Sequence, residues 1–347
     1  MKYLFKKFWI LILIFTIINV PIFILCVSRT NYSLTLKGDT VEFTSVVEVD
    51  SPYKEAGSFS TIYVVSLDRS TIFQNLIADI DPTVDKDKLS EYYTHLSNNE
   101  ISEAGRIQYK SSVSKAIVLA YNEAKKINPD IYIDYYLSSF TVTWYQEASQ
   151  FRIGDRIIGK RWFNNEGELV ETRLTDEIEF REVMSKQNYI DEEYIIIRDG
   201  VETKIKLTKN DGFSAYDVYT IDYDTINPKV TLHSTNVGGP SGGLLQTLSI
   251  YNRLIEEDIT HGLKIAGTGT ISYTGNVGAI GGIRQKIPTA LDDNVDVFFC
   301  VSANYKDALE AYNSLPDRNR MKLIEIKTFY DALEYLKEGY KNDFGEL

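Results

Sequence analysis

Apolar and polar residues repeat with two different periods along the last third of the chain, and these periods predict its elements. Lys229–His233 alternates as a strand does. A helix is predicted over residues 244–255, where apolar side chains recur at helical spacing: Leu244, Leu248, Tyr251, Leu254 and Ile255. Lys264–Ile271 and Val295–Val301 predict further strands, and a helix is expected to begin near Ile283. The pattern therefore indicates strands and helices in alternation.

A glycine-framed turn presents Ser241 within the sequence Gly-Gly-Pro-Ser-Gly-Gly. We place Ser241 at the strand-to-helix turn, in the first turn of the following helix. Pro240 has the fixed φ suited to a helix start, and the glycines, including Gly239 and Gly242, let another backbone come close. Unpaired amides and the positive end of the helix dipole would hold a developing oxyanion there. The alternative, which this segment alone favours, is an ordinary turn with Ser241 as the helix cap.

A second glycine turn, Gly281-Gly282, leads to Lys286 in the first turn of the next predicted helix. A lysine there is disfavoured by the helix dipole, so a structural reason for it is lacking. Burial and a nearby partial positive charge would lower the pKa of Lys286 and give a neutral amine able to accept a proton from Ser241. The alternative is a solvated surface lysine.

In combination these segments resemble the proteolytic domain of Lon proteases. The order of the serine turn, the Thr268-Gly-Thr-Ile strand, the glycine turn before Lys286 and the strand 295–301 agrees with that domain. So does the spacing of 45 residues from Ser241 to Lys286 (286 − 241). The resemblance implies that Ser241 is the nucleophile, that Lys286 is the general base and that the hydroxyl of Thr268 orients the lysine.

The chain is most similar to a subgroup of this family, the membrane-anchored, ATP-independent Lon-like proteases of Gram-positive bacteria that carry a PDZ domain. It departs from the Lon pattern at Gly242, where Lon usually has Ala, and at Thr270, where Lon has Glu. We expect the first departure to loosen the turn around Ser241. The second agrees with the Lon-like subgroup.

Residues 131–209 resemble a PDZ domain. Phe151–Ile158 matches the Gly-Asp-x-Ile strand of that domain, Asp176–Gln187 is expected to supply the helix that lines its groove, and Tyr194–Leu207 predicts a hairpin. A PDZ groove binds an extended peptide by adding it to a sheet edge. The glycine-rich carboxylate loop is not recognisable, because Tyr136–Trp144 occupies its neighbourhood.

An uncharged run of 20 residues, Phe8–Val27, is long enough to cross a bilayer core of roughly 30 Å. Lys2, Lys6 and Lys7 precede it and only Arg29 follows closely, so the N-terminus is predicted to be cytoplasmic and the rest extracytoplasmic. The alternative is a cleaved signal peptide, for which the run is long and no small-x-small site follows. We expect a single-pass protein of the cell membrane.

These inferences give an α+β chain of five segments. Within its β-rich N-terminal block we expect period-2 strands, a short helix from Thr71 and a longer helix over 107–127. The predicted segments are a cytoplasmic N-terminus (1–7), a transmembrane helix (8–27), an extracytoplasmic β/α block (28–128), a PDZ-like domain (129–209) and a Lon-type proteolytic domain (210–347).

Composition excludes several other classes. A net charge of −12 over 347 residues argues against nucleic-acid binding and against an electrostatic grip on anionic lipid. The three histidines have no metal-ligand spacing, and no Walker-type loop is present, so we expect no metal, no cofactor and no ATPase. A histidine base, His233, is the alternative to Lys286, whereas His261 is interpreted as compensating a helix dipole at its C-terminal end. The two cysteines, Cys26 and Cys300, predict neither a disulfide framework nor a catalytic thiol.

We therefore expect a serine endopeptidase with a Ser-Lys dyad that cuts exported peptides or flexible membrane-protein segments without ATP. Its expected partners are peptide or unfolded protein substrates and the membrane, and a homo-oligomer is left open. The alternative is a non-catalytic anchored adaptor whose Lon-like domain only binds peptides. The joint presence of Ser241, Lys286 and Thr268 favours the enzyme.

Overall fold

The computed structural model describes residues 2–81, 83–164, 166–185, 192–207, 211–235 and 238–345. The chain falls into two units. One comprises the residues up to Gly38 together with Val64–His95, and the other comprises Asp39–Tyr63 and the residues from Leu96 onward. Residues 39–63 and 96–128 of the predicted β/α block thus lie in the same unit as the serine and the lysine.

The elements follow one another as a mixture of helices and strands. The helices are α1 (Lys2–Val27), α2 (Ile72–Ala78), α3 (Asn98–Lys125), α4 (Glu177–Ser185), α5 (Gly243–Leu254), α6 (Ile283–Asp292), α7 (Ser302–Ser314), α8 (Phe329–Glu334) and α9 (Lys341–Phe344). The strands are β1 (Tyr32–Glu42), β2 (Val47–Val49), β3 (Ser58–Leu67), β4 (Asp85–Lys88), β5 (Tyr135–Tyr145), β6 (Arg156–Phe163), β7 (Leu169–Arg173), β8 (Glu193–Arg198), β9 (Val201–Lys206), β10 (Phe213–Ile221), β11 (Val230–Leu232), β12 (Lys264–Thr268), β13 (Thr270–Ile271), β14 (Val277–Gly278), β15 (Val297–Val301) and β16 (Lys322–Ile326).

The smaller unit begins with the apolar helix α1. Its segment Phe8–Val27 has a mean hydropathy of 3.0 and is long enough to cross a membrane, a test that an N-terminal signal sequence also passes. Strand β1 then pairs antiparallel with β4, in a register that sets Tyr32 opposite Lys88. Helix α2 begins where Thr71 and Gln74 form a capping box, in which each side chain accepts a hydrogen bond from the other residue's backbone amide.

A parallel sheet forms the centre of the larger unit. Strand β12 pairs with the first half of β3 on one side and with β15 on the other, and β15 pairs with β16. Every residue of β15 is buried, as expected for a parallel strand covered on both faces. Val297, Phe299 and Val301 face the core that α3 and α5 cover, whereas Phe298 and Cys300 face the core that α6 and α7 cover.

Helix α3 starts nine residues earlier than the predicted 107 (107 − 98). Ser97 and Glu100 form a capping box that fixes this start, although the segment before residue 107 is too polar to show helical periodicity. The helix therefore reaches from Asn98 to Lys125, and its buried face packs against α5.

An antiparallel sheet carries the region predicted to be PDZ-like. Its strand order is β10-β5-β6-β8-β9, with β7 paired to β6, and Phe180 of α4 packs into its core. The predicted hairpin around Asp199-Gly200 is present as β8 and β9. Tyr136–Trp144 lies within the long strand β5, where a PDZ domain would need its carboxylate loop. The last two residues of the predicted groove helix, 186 and 187, lie outside the described residues.

Candidate active site

Ser241 lies in the connection between β11 and α5, in a segment we call the serine turn (Gly238–Gly243). The prediction that Ser241 occupies the first turn of the helix is wrong, because α5 begins at Gly243 and its cap is Gly242. The alternative prediction, that Ser241 caps the helix, is wrong for the same reason. The serine therefore precedes the helix and makes no capping bond.

Backbone contacts on both sides hold the serine turn in place. Gly239 has a φ of +84°, a left-handed conformation that glycine adopts without strain, and its amide donates to Gly105 O at 3.0 Å. The carbonyl of Pro240 accepts from Ser112 Oγ at 3.2 Å and from the amide of Gly243 at 3.3 Å. Because the Gly239 amide is already engaged, this residue contributes conformation rather than an oxyanion donor.

Thr268 reaches the serine turn from the carboxyl end of β12. The carboxyl ends of parallel strands form the crevice in which such sheets place their sites. The amide of Gly269, the next residue, donates to Ser241 O at 2.8 Å, and Thr268 Oγ1 donates to the same carbonyl at 3.2 Å. Two contacts from one strand end thus fix the main chain of the serine.

Lys286 is the fourth residue of α6, a helix that begins after Gly282, whose φ is +70°. The side chain is only 1% exposed, so the alternative of a solvated surface lysine is wrong. Lys286 Nζ lies 3.1 Å from Ser241 Oγ and 3.1 Å from Thr268 Oγ1. The three residues that the sequence singled out therefore meet at one point.

Burial changes the proton affinity of this lysine. Desolvation lowers the pKa of Lys286 from 10.5 to about 8, because the buried ammonium has lost its water and no counter-ion among the described residues offsets the loss. A substantial fraction of the amine is consequently neutral near pH 8.

The hydrogen bonds around Thr268 define which way each proton points. Its hydroxyl donates to Ser241 O, so its lone pairs are left to accept from Lys286 Nζ. A neutral amine that gives one hydrogen to Thr268 keeps its lone pair for the hydroxyl of Ser241. The arrangement suits proton transfer from serine to lysine.

Comparison with known families agrees with this geometry. Residues 213–338 match the Lon protease (S16) C-terminal proteolytic domain. The Lon-type domain so defined contains all three residues and most of the parallel sheet. It also includes β10, which pairs with β5 of the antiparallel sheet.

Individual Lon proteases show the same partial similarity. The chain is 25% identical over 122 residues to Lon protease of Mesomycoplasma hyopneumoniae, which covers 34% of this chain and 14% of that protein. It is 31% identical over 141 residues to Lon protease of Campylobacter jejuni (39% and 16%) and 32% identical over 119 residues to the peroxisomal Lon protease homolog 2 of Pichia angusta (33% and 12%). The matched part thus spans less than a fifth of each relative.

Besides Gly105 and Ser112, two further residues outside the Lon-type match lie against the serine turn and were not predicted. A methyl group built on Gly242 would lie 3.1 Å from Phe43 Cζ and 3.2 Å from Thr61 Oγ1. Phe43 and Thr61 therefore take the space that alanine would need at this position. Thr61 Oγ1 is buried and has no hydrogen-bond partner among the described residues.

A cleft of about 380 Å³ opens beside the serine turn. Its lining includes Pro240, Ile271 and Tyr273 from the Lon-type match and Ser112 and Lys115 from α3. Its charged centre is Asp217, which pairs with Lys115 and, at 2.7 Å, with Arg181 of α4. Burial alone would raise the pKa of Asp217, but the two cations hold it below its ordinary value.

Arg181 also joins α4 to the Lon-type domain. Its guanidinium lies 4.5 Å from the ring centre of Tyr273, in the hairpin between β13 and β14. This hairpin lies in the chain between Thr268 and Lys286. The segment that links the threonine to the lysine therefore also lines the cleft.

The other candidate residues lie elsewhere. His233 is exposed and lies 3.3 Å from Glu48 rather than beside the serine, and Cys300 is buried in β15. The interpretation of His261 is wrong, because α5 ends at Leu254 and the imidazole stacks on Tyr340. Within the part of the chain that the structure describes, no group of three or more His, Cys, Asp or Glu side chains is placed to hold a metal ion.

Proposed function

We propose that this protein is a serine endopeptidase in which Ser241 is the nucleophile and Lys286 the general base. The observation that carries the proposal is the buried amine, with a pKa of about 8, that lies 3.1 Å from the serine hydroxyl. Nucleophile and base within hydrogen-bond reach, with a third residue orienting the base, is the arrangement that covalent hydrolysis needs. The match of residues 213–338 to the Lon proteolytic domain supports it.

The reaction proceeds in two halves. Neutral Lys286 accepts the hydroxyl proton while Ser241 Oγ attacks the peptide carbonyl carbon, and the C–N bond then breaks as the ammonium returns the proton to the leaving nitrogen. In the second half a water attacks the serine ester, Lys286 accepts its proton and then gives that proton back to Ser241 Oγ. The product is a free carboxylic acid, and the lysine ends neutral as it began.

The oxyanion is assigned to the amides of Ser241 and Gly242. Neither amide has an acceptor among the described residues, and both lie at the start of α5, where the helix dipole is positive. Donors fixed by the surrounding turn cost no reorganisation when charge develops.

The apolar helix supports a location at the membrane. We assign Phe8–Val27 as an anchor that crosses the bilayer once, with the N-terminus in the cytoplasm and the proteolytic domain outside. In this place the enzyme works without ATP, so its substrates are peptides, tails or loops that are already extended. The proposed role of the PDZ-like antiparallel sheet is to contact these substrates, either directly or at the cleft.

The test uses the full chain in lipid nanodiscs with a library of internally quenched peptides and no nucleotide. We expect cleavage that disappears in Ser241→Ala, Lys286→Ala and Lys286→Arg, since a guanidinium does not deprotonate at working pH. Ser314→Ala, which removes an exposed serine hydroxyl at the end of α7, should leave the rate unchanged. Equal peptide turnover by the protein and by Ser241→Ala would contradict Ser241 as the nucleophile, and binding of peptides without any turnover would make the protein a peptide-binding adaptor instead.

A second measurement addresses the nucleotide and the side of the membrane. A stably folded reporter should survive while the same sequence, unfolded, is cut without ATP. External protease applied to intact cells should remove the Lon-type domain. Protection of that domain in intact cells, or ATP-dependent digestion of the folded reporter, would overturn this part of the proposal.

A further inference from the structure

Helix α2 of the smaller unit presents an exposed apolar stripe. Its members are Phe73, Leu76, Ile77 and Ile80, which are 44%, 50%, 50% and 84% exposed. The spacing is i, i+3, i+4 and i+7, which sets all four on one face. Ile80 follows the helix but continues its last turn, because its amide donates a hydrogen bond to Ile77 O at 3.0 Å. Asn75 and Ala78, on the other face, are buried. The helix therefore directs its larger apolar side chains away from its own core.

Direct hydrogen bonds tie this helix to the end of α1. The amide of Ile72 donates to Ser28 O at 3.1 Å, and Arg29 forms an isolated β-bridge with Thr71. Asn75 Nδ2 donates to Thr30 Oγ1 at 2.7 Å. Ser28 is the first residue after the apolar run Phe8–Val27. The first residue of α2 is consequently one hydrogen bond from the end of that run.

We propose that the stripe lies in the outer boundary between headgroups and acyl chains of the membrane that α1 crosses. This inference rests on the proposed anchor, which brings the bilayer surface to Ser28. An amphipathic helix lies in this boundary with its apolar face buried by about 5–10 Å. The geometry favours the bilayer as the occupant. Helix α2 is part of the same chain as α1 and is hydrogen-bonded to its end, so the stripe lies near the membrane surface whether or not another partner is present.

Burial of apolar side chains, rather than charge, holds the helix there. Asp79 and Asp81 flank Ile80, and Asp79 is paired with Lys86 at 2.6 Å. The whole chain carries a net charge of −12, so anionic lipid offers no attraction. The contact should therefore be as strong on neutral as on anionic membranes.

A second point of contact has a mechanical consequence for the smaller unit. A single spanning helix lets the unit attached to it tilt relative to the membrane surface. Insertion of Phe73, Leu76 and Ile77 beside the end of α1 restricts that tilt for the unit that contains both helices. The surface of that unit then keeps one orientation toward the membrane.

The experiment places an environment-sensitive fluorophore on the full chain in vesicles. In a background with Cys26 and Cys300 replaced by serine, Ile77→Cys carries the label. Val65→Cys is the matched control, because Val65 is an apolar residue of the same unit, 41% exposed, in β3 and outside the stripe. Phe15→Cys, in the middle of the apolar run, reports the anchor itself. Neutral phosphatidylcholine vesicles carry spin-labelled lipids at shallow or deep positions.

We expect the label at 77 to be blue-shifted and quenched at least twofold by the shallow spin label, and the label at 65 to be unaffected. Added anionic lipid should not strengthen the quenching. A label at 77 that behaves as at 65, while the label at 15 is quenched by the deep spin label, would overturn the inference and leave the anchor standing. A blue shift at 77 without lipid quenching would assign the face to a protein partner and also overturn it. Absence of quenching at 15 would instead refute the anchor.

Discussion

Lys286 Nζ lies 3.1 Å from Thr268 Oγ1, and the same hydroxyl donates its hydrogen to the main-chain carbonyl of Ser241. One threonine therefore connects the proposed base with the backbone of the proposed nucleophile. Among the residues that the structure describes, no acidic side chain pairs with the lysine. Its position depends on a neutral hydroxyl.

Replacement of Thr268 should separate orientation from folding. Thr268→Val keeps the shape but removes the acceptor that holds the amine, so we expect kcat to fall at least about tenfold with little change in KM. Thr268→Ser retains the hydroxyl and should keep most of the activity. Steady-state kinetics on a single peptide provide the measurement, and equal rates for the valine and serine variants would contradict the role of the hydroxyl.

The pH dependence of cleavage should follow the lysine. The proposed base accepts a proton only in its neutral form, so kcat/KM should rise with pH along one ionisation near pH 8. At pH 7 the rate is expected to be about a tenth of its limiting value. His233→Ala should have the same profile, since its imidazole lies beside Glu48. A profile centred on an ordinary imidazole pKa and lost in His233→Ala would point to a histidine base.

Alanine at position 242, as in the Lon pattern, should lower the rate of cleavage by this protein. In Gly242→Ala the new methyl is crowded by Phe43 and Thr61, and overpacking of this kind costs about 1–3 kcal/mol. We expect cleavage to slow about tenfold or more because the strain falls on the proposed oxyanion amides. Thr61→Ala in the same chain removes the contact at 3.2 Å and should recover part of the rate. Thr61→Val, which leaves the space filled, is the matched control and should recover none.

The buried lysine should cost stability at neutral pH. Its pKa is lowered on folding from 10.5 to about 8, so the cost is complete below pH 8 and disappears as the pH rises past 10.5. The difference corresponds to about 3 kcal/mol. Lys286→Met should therefore raise the Tm at pH 7, with a smaller gain toward pH 10.5. Thermal unfolding of the protein and of Lys286→Met, followed by tryptophan fluorescence, measures the difference in Tm at pH 7 and near pH 10.5.

Lys160 offers the control for this stability experiment. It is as deeply buried as Lys286 but pairs with Glu192 at 3.0 Å. Lys160→Met leaves a buried carboxylate without its cation and should lower the Tm. A lower Tm for Lys286→Met as well would mean that the amine at 286 stabilises the fold.

Local pattern in the sequence predicted much of the site but not its assembly. The strands around Thr268 and Val297, the start of α6 at Ile283 and the hairpin at Asp199-Gly200 follow from periodicity and glycine position. The start of α3 was missed, although Ser97 and Glu100 are spaced as a capping box and gave a usable signal.

No local pattern in the sequence indicates that Phe43 and Thr61 lie against the serine turn. Both residues precede Ser241 by more than 175 positions (241 − 61 = 180), and periodicity identifies a strand without saying which strand it pairs with. The predicted block 28–128 assigned all of β3 to a segment apart from the Lon-type domain, whereas its first half pairs with β12 in the parallel sheet. The pairing of strands depends on tertiary contacts that no single local pattern contains.

The pairing of β3 with β12 also determines when the proposed active site can form after synthesis of the chain. Ser58 pairs with Lys264, 206 positions later (264 − 58), so closing this sheet is a long-range and therefore slow event. Until β12 and α6 have emerged and paired, Thr268 and Lys286 have no fixed place beside Ser241. The proposed active site is thus incomplete while the chain is being synthesised, and it forms only once the two distant halves have joined. No removable propeptide is required for that delay.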